Sequence, residues 1–205
     1  MKQDDFHRLY SQAGEGFTAE LINGVVYVRE AVSLYHSTAH LDLVSLFAIY
    51  RGATPGVEVA DNATVILGEE DEVQPDLFMR ILPERNGQSQ NTKDGPYIAG
   101  APELVAEIAL TSRAIDLHLK KQRYGLAGLV EYIVHCLKPT ELHWLDLQSA
   151  TELQPDSDGI FRSKVFPGFW IHRDALLKSD YKTTMQILES GIASPEHKQF
   201  LEKLY

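Results

Sequence analysis

Two carboxylates stand where a folded chain should least tolerate charge. Asp76 follows a proline in "VQPDLFM" and precedes the apolar Leu77, Phe78 and Met79. Glu107 lies inside "ELVAEIAL", flanked by Ala106 and Ile108. A carboxylate in such a run is costly unless it finds a partner. If the two strands are neighbours, both acids converge at one sheet edge. There they repel, and one takes up a proton unless a cation sits between them. A hard divalent cation such as Mg²⁺, or Mn²⁺ in its place, relieves this, held by one or two carboxylates plus waters and phosphate oxygens. Downstream, Asp116, Lys120 and Tyr124 recur every four residues, which puts them on one helical face. From that face Lys120 can reach back over the sheet to Glu107. A metal clamp beside a lysine suits phosphodiester hydrolysis. The metal lowers the pKa of bound water, and metal and lysine together stabilise charge developing on the phosphate.

Each signal has a structural alternative. Pro-Asp often marks a turn. Glu107 can form an ion pair with Arg113 or Lys120 alone, and Asp116 with Lys120 is an ordinary i,i+4 surface pair. A histidine-based metal enzyme is a weaker reading. His36 and His40 are four apart, but His118, His135, His143 and His172 are scattered, and no HExxH or cysteine–histidine spacing completes a zinc set.

The elements that must position these residues follow from periodicity. "AELINGVVYV" predicts a hairpin turning at Asn23-Gly24. "SLYHSTAHLDLVSLFAIYRG" predicts a helix with Leu43, Leu46, Phe47 and Tyr50 on one face, stopping near Gly52. "GVEVADNATVILG" gives two short strands, "EEDE" at 69–72 an exposed acidic turn, and "VQPDLFMRIL" a strand. Residues 82–101 are polar and rich in Gly, Pro and Asn, and predict a long mobile loop, a lid or a partner-binding arm. "PELVAEIAL" is a buried strand. "TSRAIDLHLKKQRYGLAG" is a helix capped by Thr111 or Ser112 with a glycine-rich end. "LVEYIVHCL" and "LHWLDLQ" are nearly continuous apolar strands, as central ones are. "FRSKVFPGFWI" adds a strand broken at Pro167-Gly168. The tail from Asp174 to Tyr205 predicts helical pieces, for packing or dimer contact. This order fits a mixed α/β or α+β domain with a central sheet flanked by helices. It lacks the glycine fingerprint of a dinucleotide fold.

Composition sets the outer limits. The 205 residues, 44% of them hydrophobic, fit one core and a single domain over 1–205. A net charge of −10 argues against a large basic surface for passive nucleic-acid binding. It leaves room for a narrow site whose metal ions bring the positive charge. The single cysteine, Cys136, lies in an apolar run, which predicts a buried, inert thiol and a reducing cytoplasm. The start, "MKQDDFHRLYSQ", lacks the apolar core of a signal peptide, and no stretch approaches the ~20 apolar residues of a membrane span.

Taken in order, "QPD", "PELVAEIALTS" and "DLHLKKQRYGLAGLVEYIV" resemble the PD-(D/E)XK nuclease superfamily, most closely its Uma-type branch of restriction endonucleases. The likeness runs from "AELINGVVYV" to "VFPGFWI". It implies a restriction-endonuclease-like core and a metal-dependent endonuclease acting on DNA, with a homodimer as the expected assembly. It implies Asp76 and Glu107 as metal ligands, with the Ile108 carbonyl as a further one. Lys120 takes the catalytic lysine's role, and Glu20 is the early acidic residue near the site. Tyr124 matches a supporting tyrosine, and His40 a helix histidine assigned to packing or local hydrogen bonding. The chain also departs from the pattern. Glu107-Ile108-Ala109 has no lysine two residues after the glutamate, so Lys120 on the helix stands in for it. Lys121 points about 100° away on a regular helix. Tyr132-Ile133 replaces a Tyr-Trp pair, and His135 stands where an acidic residue is expected. The alternative is a catalytically silent protein of the same fold that serves as an interaction module.

Overall fold

The computed structural model describes residues 1–14, 16–29, 31–93 and 95–204. Helix α1 (Gln3–Tyr10) leads into a hairpin of β1 (Ala19–Ile22) and β2 (Val25–Val28). Asn23 and Gly24 both take positive φ, 52° and 74°, as a two-residue hairpin turn requires. Helix α2 (Leu34–Ala53) starts at Ser33, whose hydroxyl accepts from the His36 N–H. It buries Leu43, Leu46, Phe47 and Tyr50, the stripe that its periodicity predicts. Strands β3 (Val57–Asp61), β4 (Val65–Gly68), β5 (Asp71–Val73) and β6 (Leu77–Ile81) follow. A 3₁₀ turn (Pro83–Arg85) and the short β7 (Gln90–Asn91) and β8 (Ile98–Ala99) precede β9 (Leu104–Ala109). A helical stretch then opens as a π-helical turn (Ile115–Lys120) and continues as α3 (Lys121–Ala127). The chain ends in β10 (Glu131–Leu137), β11 (Thr140–Asp146), β12 (Thr151–Glu152), β13 (Ile160–Arg162), β14 (Trp170–His172), α4 (Arg173–Leu177), α5 (Tyr181–Ile192) and α6 (Pro195–Leu204).

The central sheet has six strands in the order β12-β11-β10-β9-β6-β3. Its middle is mixed: β10 runs parallel to β9, and β6 runs antiparallel to it. Strand alternation divides the core in two. Leu77, Met79, Leu104, Ala106 and Ile108 face the cluster built with α2 and the aromatic residues Phe166 and Phe169. Phe78, Val105 and Ala109 face the other way, toward Tyr124, Tyr132 and a second sheet.

That second sheet departs from the single one expected. It also has six strands, in the order β2-β1-β5-β4-β8-β7, and it takes up the N-terminal hairpin. Only Glu69 and Glu70 of the acidic run form the turn. Asp71 and Glu72 are buried in β5, because each has partners. Asp71 accepts from Arg123 and from the Asn23 N–H, and Glu72 from Gln3 with His7 beside it. The described residues of 82–101 likewise carry β7, β8 and further hydrogen bonds. The buried Glu103 accepts from the N–H groups of Ile81 and Gln88, and the Gln88 amide donates to the carbonyls of Ala101, Pro102 and Gly128. Asp94 in this segment and Tyr205 at the end of the tail lie outside the described residues. The break at Pro167-Gly168 separates two strands rather than ending one: β13 and β14 pair antiparallel, with Gly168 at φ 90° in the loop between them.

Candidate active site

Register brings the two carboxylates together. Leu77 pairs with Ala106 across β6 and β9, so Asp76, one residue before β6, comes opposite Glu107. The Asp76 N–H points to Glu107 Oε2 at 3.3 Å, and Asp76 Oδ2 accepts from the Ile108 N–H at 2.8 Å. Where β6 has not yet begun, a side chain thus supplies the acceptor that a neighbouring strand would give to β9. Both acids lie on the face of the sheet that carries Phe78, Val105 and Ala109.

The helical stretch covers this face. Asp116, Lys120 and Tyr124 are all buried, as is Glu20 on β1. Lys120 Nζ lies 2.9 Å from Glu107 Oε1 and 2.9 Å from Glu20 Oε2, with Asp116 Oδ1 at 4.0 Å. Tyr124 donates to Glu107 Oε1 at 3.0 Å. Glu20 Oε1 also accepts from the Gln74 N–H, which fixes the strand two residues before Asp76. Arg113 does not pair with Glu107; it pairs with Glu141. All four catalytic candidates therefore meet: Asp76, Glu107 and Lys120, with Glu20 bridging β1 to the lysine. Ile108 lines the same pocket. Lys121 is not among the lining residues, as its direction on the helix predicts.

Two contacts escape the sequence reading. Arg29, just past β2, donates to Asp76 Oδ1 at 3.0 Å, and His36 Nε2 lies 3.2 Å from Asp76 Oδ2. A lone basic residue directly after an apolar strand is the one sequence sign of Arg29. His40 Nε2 lies 3.1 Å from the Asp76 carbonyl and 2.9 Å from Asp61, a local hydrogen-bonding role.

The pocket, ≈ 290 Å³, is lined by Glu20, Arg29, Asp76, Glu107, Asp116 and Lys120 among others. Burial pushes the Asp76 carboxyl up, but His36, the Ile108 N–H and Arg29 outweigh it and hold the group below its usual range. Glu107 goes the other way. Burial pushes it up to about 8; Lys120 opposes this, while Asp76, Asp116 and Glu20 add to it. Burial works against the charge on Lys120, yet Glu107, Glu20 and Asp116 raise its pKa. Without a metal Glu107 keeps its proton at pH 7, and Asp76, Glu20 and Asp116 exceed the cations Arg29 and Lys120 by one negative charge; a divalent cation that drives the Glu107 proton off meets an excess of two. The donor set is all oxygen, which suits a hard ion. The Tyr132 hydroxyl is buried without a hydrogen-bond partner among the described residues, and burial, with Glu107 and Asp116 adding to it, pushes its pKa well above the usual phenol range.

A family model described as "Uma2: Putative restriction endonuclease" matches residues 3–176, a span that holds every residue of this site. No curated protein matches. A solved structure, "Crystal structure of a putative nuclease belonging to DUF820 from Anabaena variabilis ATCC 29413", is similar with a TM-score of 0.62 at 14% identity, covering 92% of this chain and 99% of that one. At that identity the likeness shows the fold.

Proposed function

The chain belongs to the Uma2 family, and from that premise we propose a divalent-metal-dependent endonuclease that hydrolyses DNA phosphodiester bonds, with residues 1–205 acting as one catalytic domain. The observation that carries this reading is the convergence of Asp76, Glu107 and Lys120 on one buried pocket lined by four acidic side chains. We assign Asp76, Glu107 and the Ile108 carbonyl to Mg²⁺ or Mn²⁺. When bound, such an ion lowers the pKa of a water and offsets charge on a phosphate. The chain's own groups do the rest. Lys120 keeps its proton and stands beside Glu107 as a fixed positive charge for the developing phosphate charge. Glu20 holds the ammonium from the far side, and Tyr124 holds Glu107 in orientation. Arg29, a quarter exposed at the pocket wall, is placed to meet a substrate phosphate once Asp76 has another cation.

A DNA partner must be reconciled with a net charge of −10. Binding then depends on local cations and the ion rather than on a general basic surface. A second copy of the chain is the protein partner we infer. Strand β2 is a sheet edge with Val25, Val26 and Val28 exposed, and Val32, Leu34 and Tyr35 are exposed in the segment that follows. No helix among the described residues is long and apolar enough to cross a membrane, and the free, buried Cys136 suits a reducing cytoplasm, the compartment we assign.

A nuclease assay with Mg²⁺ and with Mn²⁺, comparing wild type with Asp76→Ala, tests the proposal. Cleavage by wild type that is lost in the variant, with far-UV circular dichroism unchanged, is expected. Equal activity from both would overturn the assigned site. Silence from both across linear, supercoiled and single-stranded DNA would favour an interaction module instead.

A further inference from the structure

Cys136 on β10 pairs in register with Glu141 on β11, and Val134 pairs with His143. Residues two apart on a strand share a face, so Cys136, Glu141 and His143 project from the same side of the hairpin. The Cys136 sulfur, a Glu141 oxygen and a His143 ring nitrogen all lie within 4.8 Å of one another. None of the three lines the candidate active site. Cys136 is fully buried, while the side chains of Glu141 and His143 are 40% and 23% exposed, which leaves a route from solvent.

The surroundings are those of a ligand set. His143 Nδ1 lies 2.8 Å from Glu152 Oε1, and a carboxylate can only accept, so Nδ1 carries the hydrogen. The other nitrogen, Nε2, faces Glu141 Oε2 at 3.2 Å and by the same rule carries a hydrogen in that contact, which a metal must displace. An imidazole whose far N–H is held by a carboxylate is how metal-binding histidines are usually oriented. A cation already sits at the site: Arg113 bonds to Glu141 at 2.6 Å and also meets the Cys136 side chain, with its own side chain 39% exposed.

We propose that Cys136, Glu141 and His143 form a second cation site, for a zinc-class divalent ion. A thiolate beside an imidazole selects such an ion over Mg²⁺, so this site and the all-oxygen pocket differ in what they take. Binding balances by release of the Cys136 thiol proton, and of any proton on His143 Nε2, to solvent, and by Arg113 leaving Glu141. The fourth position is left to water. Glu152 acts as a positioning residue through the histidine.

Co²⁺ is the probe, because cobalt bound by a thiolate absorbs in the near ultraviolet and cobalt bound by oxygen alone does not. Full-length reduced protein carrying Asp76→Ala, which weakens the other site, is titrated with Co²⁺. One equivalent should bind with a thiolate band, and added Zn²⁺ should bleach it. Cys136→Ser should remove the band. The half-exposed positions cover the case in which that variant fails to fold: His143→Gln should abolish saturable binding, and Glu152→Gln should weaken it roughly 10–100-fold. Arg113→Gln should tighten it. Absence of the band while the thiol titrates as reduced, or affinity unchanged by His143→Gln, would overturn the proposal.

Discussion

Asp76 and Glu107 touch, yet burial leaves them in opposite states. Asp76 has Arg29, His36 and the Ile108 N–H on its two oxygens and stays ionised. Glu107 shares its one cation with Glu20, and its carboxyl is pushed up to about 8. Tyr124 is therefore worth testing, since it gives Glu107 an uncharged hydrogen bond that does not compete for charge. Tyr124→Phe should cost ~1 kcal/mol in urea denaturation. It should also weaken Mn²⁺ binding, read by calorimetry, by roughly 10-fold. A separate test concerns His135, which faces away from this pocket across β10. It is buried, its Nδ1 has no partner among the described residues, and burial pushes its pKa down to about 4. The folded chain keeps it neutral, while the unfolded chain protonates it near 6.5, so the unfolded state binds more protons between those values. Its contribution is fully present above pH 6.5 and is lost as pH falls toward 4, about 3 kcal/mol in all. In chelator, the pH dependence of stability over that window should flatten in His135→Leu, and an unchanged slope would refute the assignment. Asp76, Glu107 and Lys120 are legible in sequence because a charge beside an apolar run demands a partner. Arg29 and His36 are not, because only the fold carries them to Asp76.

The helix that delivers Lys120 shows what periodicity can and cannot read. Four-residue spacing of Asp116, Lys120 and Tyr124 correctly puts all three on the buried face. It gives no sign that Ile115–Lys120 forms a π-helical turn, because that depends on packing against the sheet rather than on local preference. The glycine-rich end is legible and has a physical reason: Gly128 takes φ 92° at the cap, and the Tyr124 carbonyl receives the Leu129 N–H. Nothing lies within 4 Å of where a Cβ would stand, so Gly128→Ala tests backbone conformation alone. It should cost about 1 kcal/mol by denaturation, with the metal-dependent rate nearly unchanged. A large loss of rate would mean that the cap also sets the position of Lys120. The second sheet is less legible for a similar reason. β7 and β8 have two residues each, too few for an alternation pattern, and they form because β4 offers β8 a parallel partner and β8 in turn pairs with β7. Register rather than spacing also joins Cys136 to Glu141 and His143, so no linear motif announces that cluster.

For the whole molecule, the apolar edge and the net charge pull in opposite directions. Val25, Val26 and Val28 stand 52%, 39% and 61% exposed on an edge strand, next to unpaired backbone groups. An edge of this kind invites pairing unless something covers it. Val32, Leu34, Tyr35 and Leu41 are also exposed, and Val28 and Val32 line the candidate pocket, so a partner on this edge sits beside the site. Two copies that pair there also bring together two chains of charge −10, a repulsion that salt screens. Self-association should therefore strengthen as salt rises, whereas DNA binding should weaken as counterion release loses its advantage. Sedimentation analysis across a salt series reads the first, and fluorescence anisotropy with a labelled duplex reads the second. Val25 and Val26 do not line the active-site pocket, so Val25→Lys with Val26→Lys isolates the interface. The double variant should sediment as a monomer at every salt concentration and keep a folded circular dichroism spectrum. If it dimerises like wild type, the contact lies elsewhere, and the C-terminal helices become the next surface to test.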